Sequence, residues 1–264
     1  MLYFILAMIC FMASTVGAVV GAGGGVIIKP VVDLLGLLPV STASFCSGCT
    51  VLAMSVVSLI RTRNNGVKLR LRMSIPLAIG AVFGGLIGKW LFELVRRSFT
   101  DENVLGAVQA ACLTVITAAV LLYICKKDRL KSMHVDSLPL ALVIGTVLGV
   151  ISSFLGIGGG TSNVAMLFFF FSMNAKEAAK NSIFIILFSQ LSSVLNAVIN
   201  GTVPPFEWPV LVCMMAGGVG GAQVGACISK RLSGAGVERL LKLLLAVIVC
   251  IDFYNMIKFA LLAG

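Results

Sequence analysis

The stretch GAGGGVIIKPVV (residues 21–32) returns as GIGGGTSNVAML (residues 156–167), so a Gly-x-Gly-Gly-Gly run occurs twice, with Gly156 answering Gly21. Either run alone would be a weak signal in a chain with 28 glycines. The same offset, however, holds on past it. Ala43 meets Ala178, Ser47 meets Ser182, Leu52 meets Leu187, Ser58 meets Ser193, and Asn65-Gly66 meets Asn200-Gly201. Farther on, Gly80, Gly84 and Gly88 are answered by Gly217, Gly221 and Gly225 at nearly the same displacement. An ordered series at nearly constant offset marks a duplicated unit. The chain therefore divides into a first repeat at 1–125, a basic linker at 126–137 and a second repeat at 138–264.

Composition places both repeats in a membrane. Of the 264 residues 59% are hydrophobic and 11% charged, and the mean hydropathy is +1.09. A soluble domain carries about 25% charged residues, so soluble, disordered, collagenous and disulfide-knotted classes are excluded. Apolar segments run at 2–20, 26–38, 42–60, 73–95 and 104–125, then at 138–155, 161–173, 178–199, 209–229 and 238–262. Residues 1–20 lack the basic n-region of a signal peptide and read as the first membrane segment. The second segment of each half, at 26–38 and at 161–173, is much the shortest. As a helix it spans about 20 Å, short of the roughly 30 Å hydrocarbon core. The glycine runs are thus expected inside the membrane, flanked by discontinuous helices.

The net charge of +10 collects between apolar segments: Arg61, Arg63, Lys68, Arg70 and Arg72; Lys126, Lys127, Arg129 and Lys131; Lys230, Arg231, Arg239 and Lys242. Such clusters mark cytoplasmic loops, and no nucleic-acid partner is implied. The loop at 200–208 holds Pro204, Pro205, Glu207 and Trp208 but no Lys or Arg, so it reads as external. Its counterpart in the first half is the basic loop near Gly66. Equivalent loops on opposite sides mean inverted halves, with both termini expected outside. Five crossings per half, or three plus a re-entrant hairpin, satisfy this equally. The expected fold is an all-α polytopic membrane protein of two inverted repeats, with about 8–10 membrane segments.

Backbone breaks at membrane depth are tolerated where they line a cavity or are buried by protein. Free N–H groups and helix dipoles at such breaks favour anions. Gly23, Gly24, Gly25 and Gly158, Gly159, Gly160 are therefore candidate substrate-binding positions, the alternative being that they only permit close packing. Neither run completes a dinucleotide-binding fingerprint or a P-loop, since Val26 and Thr161 stand where glycine is needed and no Gly-Lys-Ser/Thr follows. Hydrolytic motifs are absent, and no enzymatic activity is expected.

Polar residues inside the membrane are candidates by default. Asn163, Asn181, Ser182 and Gln190 form a polar stripe in the second half, with Ser47 as a first-half counterpart. Lys29 and Asp33 are spaced to pair on one helix face, so Lys29 is either a substrate donor or half of a neutral pair. Asp252 is the one acid well inside the last segment; it is a candidate to carry a coupling proton, or it pairs with Lys258. The Gly80 and Gly217 series read as packing faces. Cys46 and Cys49 form a Cys-x-x-Cys pair in an apolar run, open to packing or to thiol chemistry. With His134 as the sole histidine, no metal and no cofactor is expected.

The two glycine stretches and KEAAKNS (176–182) together resemble the sulfite exporter TauE/SafE family, also called the toluene sulfonate uptake permease family. Its pattern places a Gly-x-Gly-Gly-Gly run, often followed by Pro, before an alanine-containing stretch ending in Thr-Ser, and repeats the unit. Pro30 fits in the first half, while the second half has no such Pro. The Thr-Ser position is Cys46-Ser47 in one half and Asn181-Ser182 in the other. The resemblance covers essentially the whole chain. It implies secondary transport, as an exporter, of small sulfur-containing anions such as sulfite or organosulfonates across a bacterial inner membrane. Alternating access would occur around a midplane site between the glycine breaks, with protons as the candidate coupling ion. A passive anion channel, and a membrane component of sulfur metabolism acting through Cys46 and Cys49, are the alternatives.

Overall fold

The structure is a computed structural model that describes residues 2–63, 66–98, 102–127, 132–156 and 159–262. Asn65, Arg129, Lys131 and Gly158 lie outside the described residues. Among the described residues ten helices follow in order: α1 (Leu2–Val20), α2 (Gly25–Leu35), α3 (Val40–Arg61), α4 (Leu71–Ser98), α5 (Glu102–Lys126), α6 (Leu138–Leu155), α7 (Gly160–Phe171), α8 (Ala175–Ile199), α9 (Trp208–Arg231) and α10 (Gly234–Leu262). Eight of them are long and apolar enough to cross a membrane; the short helices α2 and α7 are not among the eight. The chain is an all-α, multi-pass membrane protein, and its outer surface bears exposed Phe4, Ile199 and Leu261 as a lipid-facing surface should.

Each half opens with a hairpin that returns to the end it left. Tyr3 Oη at the start of α1 donates to Glu207 Oε2 at 2.8 Å. Thr42 Oγ1 at the start of α3 donates to the Pro205 carbonyl at 3.0 Å. Leu37 and Leu38, just past α2, line the same groove as Leu2, Pro205 and Glu207. The α1–α2 pair thus begins and ends at the 205–207 end of the bundle. In the second half Met133 N and Val135 N donate to the Phe169 and Phe170 carbonyls at 2.7 and 2.9 Å, so α6–α7 is a hairpin from the basic end. Of the two arrangements compatible with the sequence, the contacts correspond to the hairpin followed by three end-to-end helices.

Directions follow from the remaining contacts. Lys180 near the start of α8 donates to the carbonyls of Thr62 and Val67, both at 2.8 Å. Asn196 and Asn200 near its other end share a groove with Arg97 at the end of α4. So α8 runs against α3. Lys127 pairs with Glu238 at the basic end, and Lys258 reaches the Asp33 and Leu34 carbonyls at the opposite end, so α10 runs against α5.

The halves interlock through their glycines. A Cβ added at Gly80, Gly84 or Gly88 of α4 would lie 2.1, 2.0 or 2.4 Å from the carbonyl oxygens of Leu142, Thr146 or Val150 of α6. Added at Gly217, Gly221 or Gly225 of α9, it would lie 2.3, 2.1 or 2.4 Å from those of Ala7, Phe11 or Thr15 of α1. Each half's first helix therefore lies directly on the other half's fourth. Lipid tails are as apolar as side chains, so such association depends on close backbone approach rather than on the hydrophobic effect.

The two hairpin tips meet inside the bundle. Gly21 and Gly156, with φ of +76° and +66°, turn the chain out of α1 and α6 in a conformation that favours glycine. A Cβ at Gly160 would fall 1.7 Å from the Ala22 carbonyl oxygen, and one at Gly21 would fall 2.2 Å from Ala179 Cα. Ser182 Oγ lies 2.7 Å from the Gly21 carbonyl oxygen and 3.3 Å from that of Gly160, so one hydroxyl spans both tips.

Gly84→Leu is expected to destabilise the folded protein by about 1–3 kcal/mol through overpacking, whereas Gly234→Ala, with open space around it, leaves the melting temperature in detergent unchanged. Ser182→Ala removes the hydroxyl donor to the buried Gly21 carbonyl and is expected to cost about 1–3 kcal/mol in the same thermal unfolding measurement.

Candidate functional site

Near the end of the bundle opposite the basic loops, a cleft lined by Lys89, Trp90, Glu93, Arg97, Asn196, Asn200 and Thr202 leads inward. Lys89 also borders a second, narrower pocket with Ser44, Phe45, Gly48, Phe92, Ser153, Gly156, Gln190, Ser193, Val194 and Ala197. Lys89 thus borders both spaces, and the inner one reaches the tip of the α6–α7 hairpin at Gly156.

The polarity of this pocket comes from α3, α4, α6 and α8. Lys89 Nζ lies 3.5 Å from Glu93 Oε1, while Glu93 Oε2 is held by Arg96 at 2.8 Å. Sharing Glu93 with Arg96 leaves the Lys89 ammonium only partly neutralised. Gln190 Nε2 donates to Ser152 Oγ at 3.3 Å. Ser44 Oγ and Ser153 Oγ are buried without a hydrogen-bond partner. A cation, a side-chain amide and unengaged hydroxyls beside a glycine break are donors suited to an oxyanion.

The equivalent position in the other half is shut. Gly21 stands to Ala179 as Gly156 stands to Ser44, each residue answered by its repeat counterpart. Backbone packs on backbone at Gly21, whereas Gly156 faces the Ser44 side chain beside open space. Below Gly21 the basic end is tied closed. Arg70 N and Ser74 Oγ donate to Asn181 Oδ1 at 3.0 and 2.5 Å, and Arg70 pairs with Glu177 at 2.9 Å.

The glycine positions legible in the sequence converge. Gly24 N donates to Met54 Sδ at 3.0 Å, Gly25 starts α2, Gly23 turns with φ of +65°, and Gly159 and Gly160 open α7 against Ala22. The polar residues scatter. Gln190 lines the pocket. Asn181 is engaged in the basic-end closure, and Ser182 ties the two tips. Ser47 Oγ and Asn163 Oδ1 are buried without partners and do not line the pocket. Lys29 pairs with Asp33 at 2.6 Å and faces α10. Cys46 and Cys49 are buried against Cys10, Ile28 and Val32 as apolar packing.

Sequence reading missed Lys89, Ser44 and Ser153. Lys89 follows the third glycine of the Gly80 series, where the second half has Ala226. That mismatch between repeats was the available signal, since a charge present in only one copy is not required by the duplicated packing.

The model of the sulfite exporter TauE/SafE family matches residues 6–251. Two Bacillus subtilis (strain 168) proteins are similar. The probable membrane transporter protein YunE is 23% identical, covering 97% of this chain and 98% of its own length. The probable membrane transporter protein YdhB is also 23% identical, covering 84% and 88%. No solved structure matches the chain. With the family model spanning nearly the whole bundle, hairpin tips and glycine faces included, the chain belongs to the sulfite exporter TauE/SafE family of membrane transporters.

Proposed function

We infer that the protein exports a small sulfur-containing anion, sulfite or an organosulfonate, by alternating access around the hairpin tips. The observation that carries this reading is the small polar pocket at the Gly156 tip, bordered by Ser44, Lys89, Ser153 and Gln190. Its donors suit an oxyanion, and the sulfur chemistry comes from the family's description.

The geometry supports alternation over a continuous pore. The antiparallel courses of α3 and α8 and of α5 and α10 fit two halves related as an inverted repeat. In such a pair the Gly156–Ser44 contact, a close one on a side chain beside a pocket, and the Gly21–Ala179 contact, on backbone, are read as one contact in two states. Exchange of those states would close the Lys89 cleft and free the Arg70, Glu177 and Asn181 contacts at the basic end. By the positive-inside rule that end faces the cytoplasm, which makes the present state outward-facing and places both described ends of the bundle's first and last helices outside. Ser44, Lys89, Ser153 and Gln190 contact the anion, while the glycines at 23–25 and 159–160 form the moving tips.

Lys89→Met removes the ammonium that lines the inner pocket. Charge-assisted hydrogen bonds contribute about 1.5–3 kcal/mol, so the apparent affinity for sulfite or sulfoacetate is expected to fall by about 10- to 100-fold. The measurement is the saturation of transport currents from proteoliposomes adsorbed on a solid support. Unchanged affinity in correctly folded Lys89→Met protein would overturn the pocket assignment.

A further inference from the structure

The anion pathway leaves unused the most highly charged buried spot in the bundle. Between α2 and α10, Lys29, Asp33, Asp252 and Asn255 are each 5% exposed or less. Lys29 Nζ donates to Asp33 Oδ2 at 2.6 Å. Asn255 Nδ2 donates to the Pro30 carbonyl at 2.8 Å, which sets this part of α10 against α2. Asp252 stands one turn before Asn255 on the same helix face, within electrostatic reach of Lys29 and Asp33. Asp33 Oδ1, Asp252 Oδ2 and Asn255 Oδ1 have no hydrogen-bond partner.

The charges here do not cancel. Inside the cluster two carboxylates face one ammonium, and apart from Lys258 at the end of α2 the described helices around them bring no further charge close. Residues 2–20, 40–60, 103–125 and 160–171, on α1, α3, α5 and α7, contain no Lys, Arg, Asp or Glu. On α8 the charges Lys176, Glu177 and Lys180 sit at the basic end, where Glu177 and Lys180 are bonded. On α10 itself, Glu238 is paired at that same end with Lys127 and Lys242. Lys258 donates to the Asp33 and Leu34 carbonyls at 2.9 and 3.1 Å, and so serves the end of α2. The titratable thiols facing α2 are Cys10, Cys46 and Cys49, beside Ile28 and Val32. The fold does not require this cluster. At the positions equivalent to Lys29 and Asp33 the second half has Val164 and Phe168, and α7 packs on α5 through Ala165, Phe169, Val120 and Tyr123.

We propose that this cluster is a proton-binding site, in which Asp33 and Asp252 hold one exchangeable proton between them while Lys29 balances the second carboxylate. A carboxylate without a counter-charge in a low-dielectric interior is neutralised by taking up a proton. An alkali cation is disfavoured because the Lys29 ammonium already occupies the cation's place beside Asp33. The site also lies where a change of charge reaches the moving parts. Lys29 is one turn from Gly25, and α2 begins at the tip held by Ser182 and crossed by Gly160. Loading and unloading the proton would bias the α1–α2 hairpin between its two positions. This coupling rests on the transport reading above, whereas proton binding itself does not.

Infrared difference spectra of the purified full chain in lipid, recorded between neutral and alkaline pH, read the proton directly. The wild type is expected to lose a protonated-carboxyl band on alkalinisation. Asp252→Asn lacks that band and Asp252→Glu restores a shifted one, which separates proton binding from a merely structural role. Asp33→Asn, which leaves a single carboxylate facing Lys29, is expected to lose the titrating band as well. No titrating band in the wild type, or the same band in Asp252→Asn, overturns the site. In proteoliposomes loaded with a pH-sensitive dye, a sulfoacetate or sulfite gradient is expected to shift lumenal pH with the wild type and not with Asp252→Asn. An infrared signal without movement of either anion overturns the transport reading and leaves the proton site. Anion movement at constant lumenal pH overturns the coupling.

Discussion

Backbone lying directly on backbone is the constraint on which the rest of this bundle depends. Water drives no helix association inside lipid, so cohesion comes from close contact. Glycines at every fourth position let α4 and α9 meet the carbonyls of α6 and α1 at distances no side chain would permit. The same device holds the centre, where Gly160 crosses Ala22 and Gly21 crosses Ala179. Without these contacts the short helices α2 and α7 would lie at membrane depth with exposed ends. With them, the breaks are covered by protein, and among the described glycines of the two runs Gly156 borders a pocket.

That scaffold is built twice, but the polar side chains on it are not. Lys89 faces the pocket where Ala226 stands in the other copy, and Lys29 and Asp33 stand against Val164 and Phe168. Duplicated glycines set where helices touch; unduplicated charges set what the two faces of the bundle can bind. The polar pocket beside α4 and the carboxylate pair beside α10 thus include charges that belong to one copy of the sequence repeat and not to the other. They lie on different helix interfaces and share no residue.

The tie at the basic end and the crossing at the centre differ in kind. The basic end is held by hydrogen bonds from Arg70, Ser74 and Lys180 to Asn181, Thr62 and Val67. These contacts are polar and individually modest. The central crossing is steric and close-packed.

Membrane class, helix order and the duplication were legible in the chain because hydropathy, length and glycine spacing are local properties. The helices begin and end within a few residues of the apolar segments, and both glycine runs fall at breaks, since only glycine accepts the turn at Gly21 and Gly156. Sequence alone left open whether the first two segments of each half cross or return, because a short helix satisfies either course. That choice depends on contacts such as Tyr3 with Glu207 and Met133 with Phe169, which join segments distant in the chain. The polar stripe divided for a similar reason. Asn181, Ser182 and Gln190 are neighbours in sequence, yet successive helical turns face different partners, so one closes the basic end, one ties the tips and one lines the pocket. Residue type determined that these groups would be buried and hydrogen-bonded; which of them lines a pocket was decided by the helix each one happened to face.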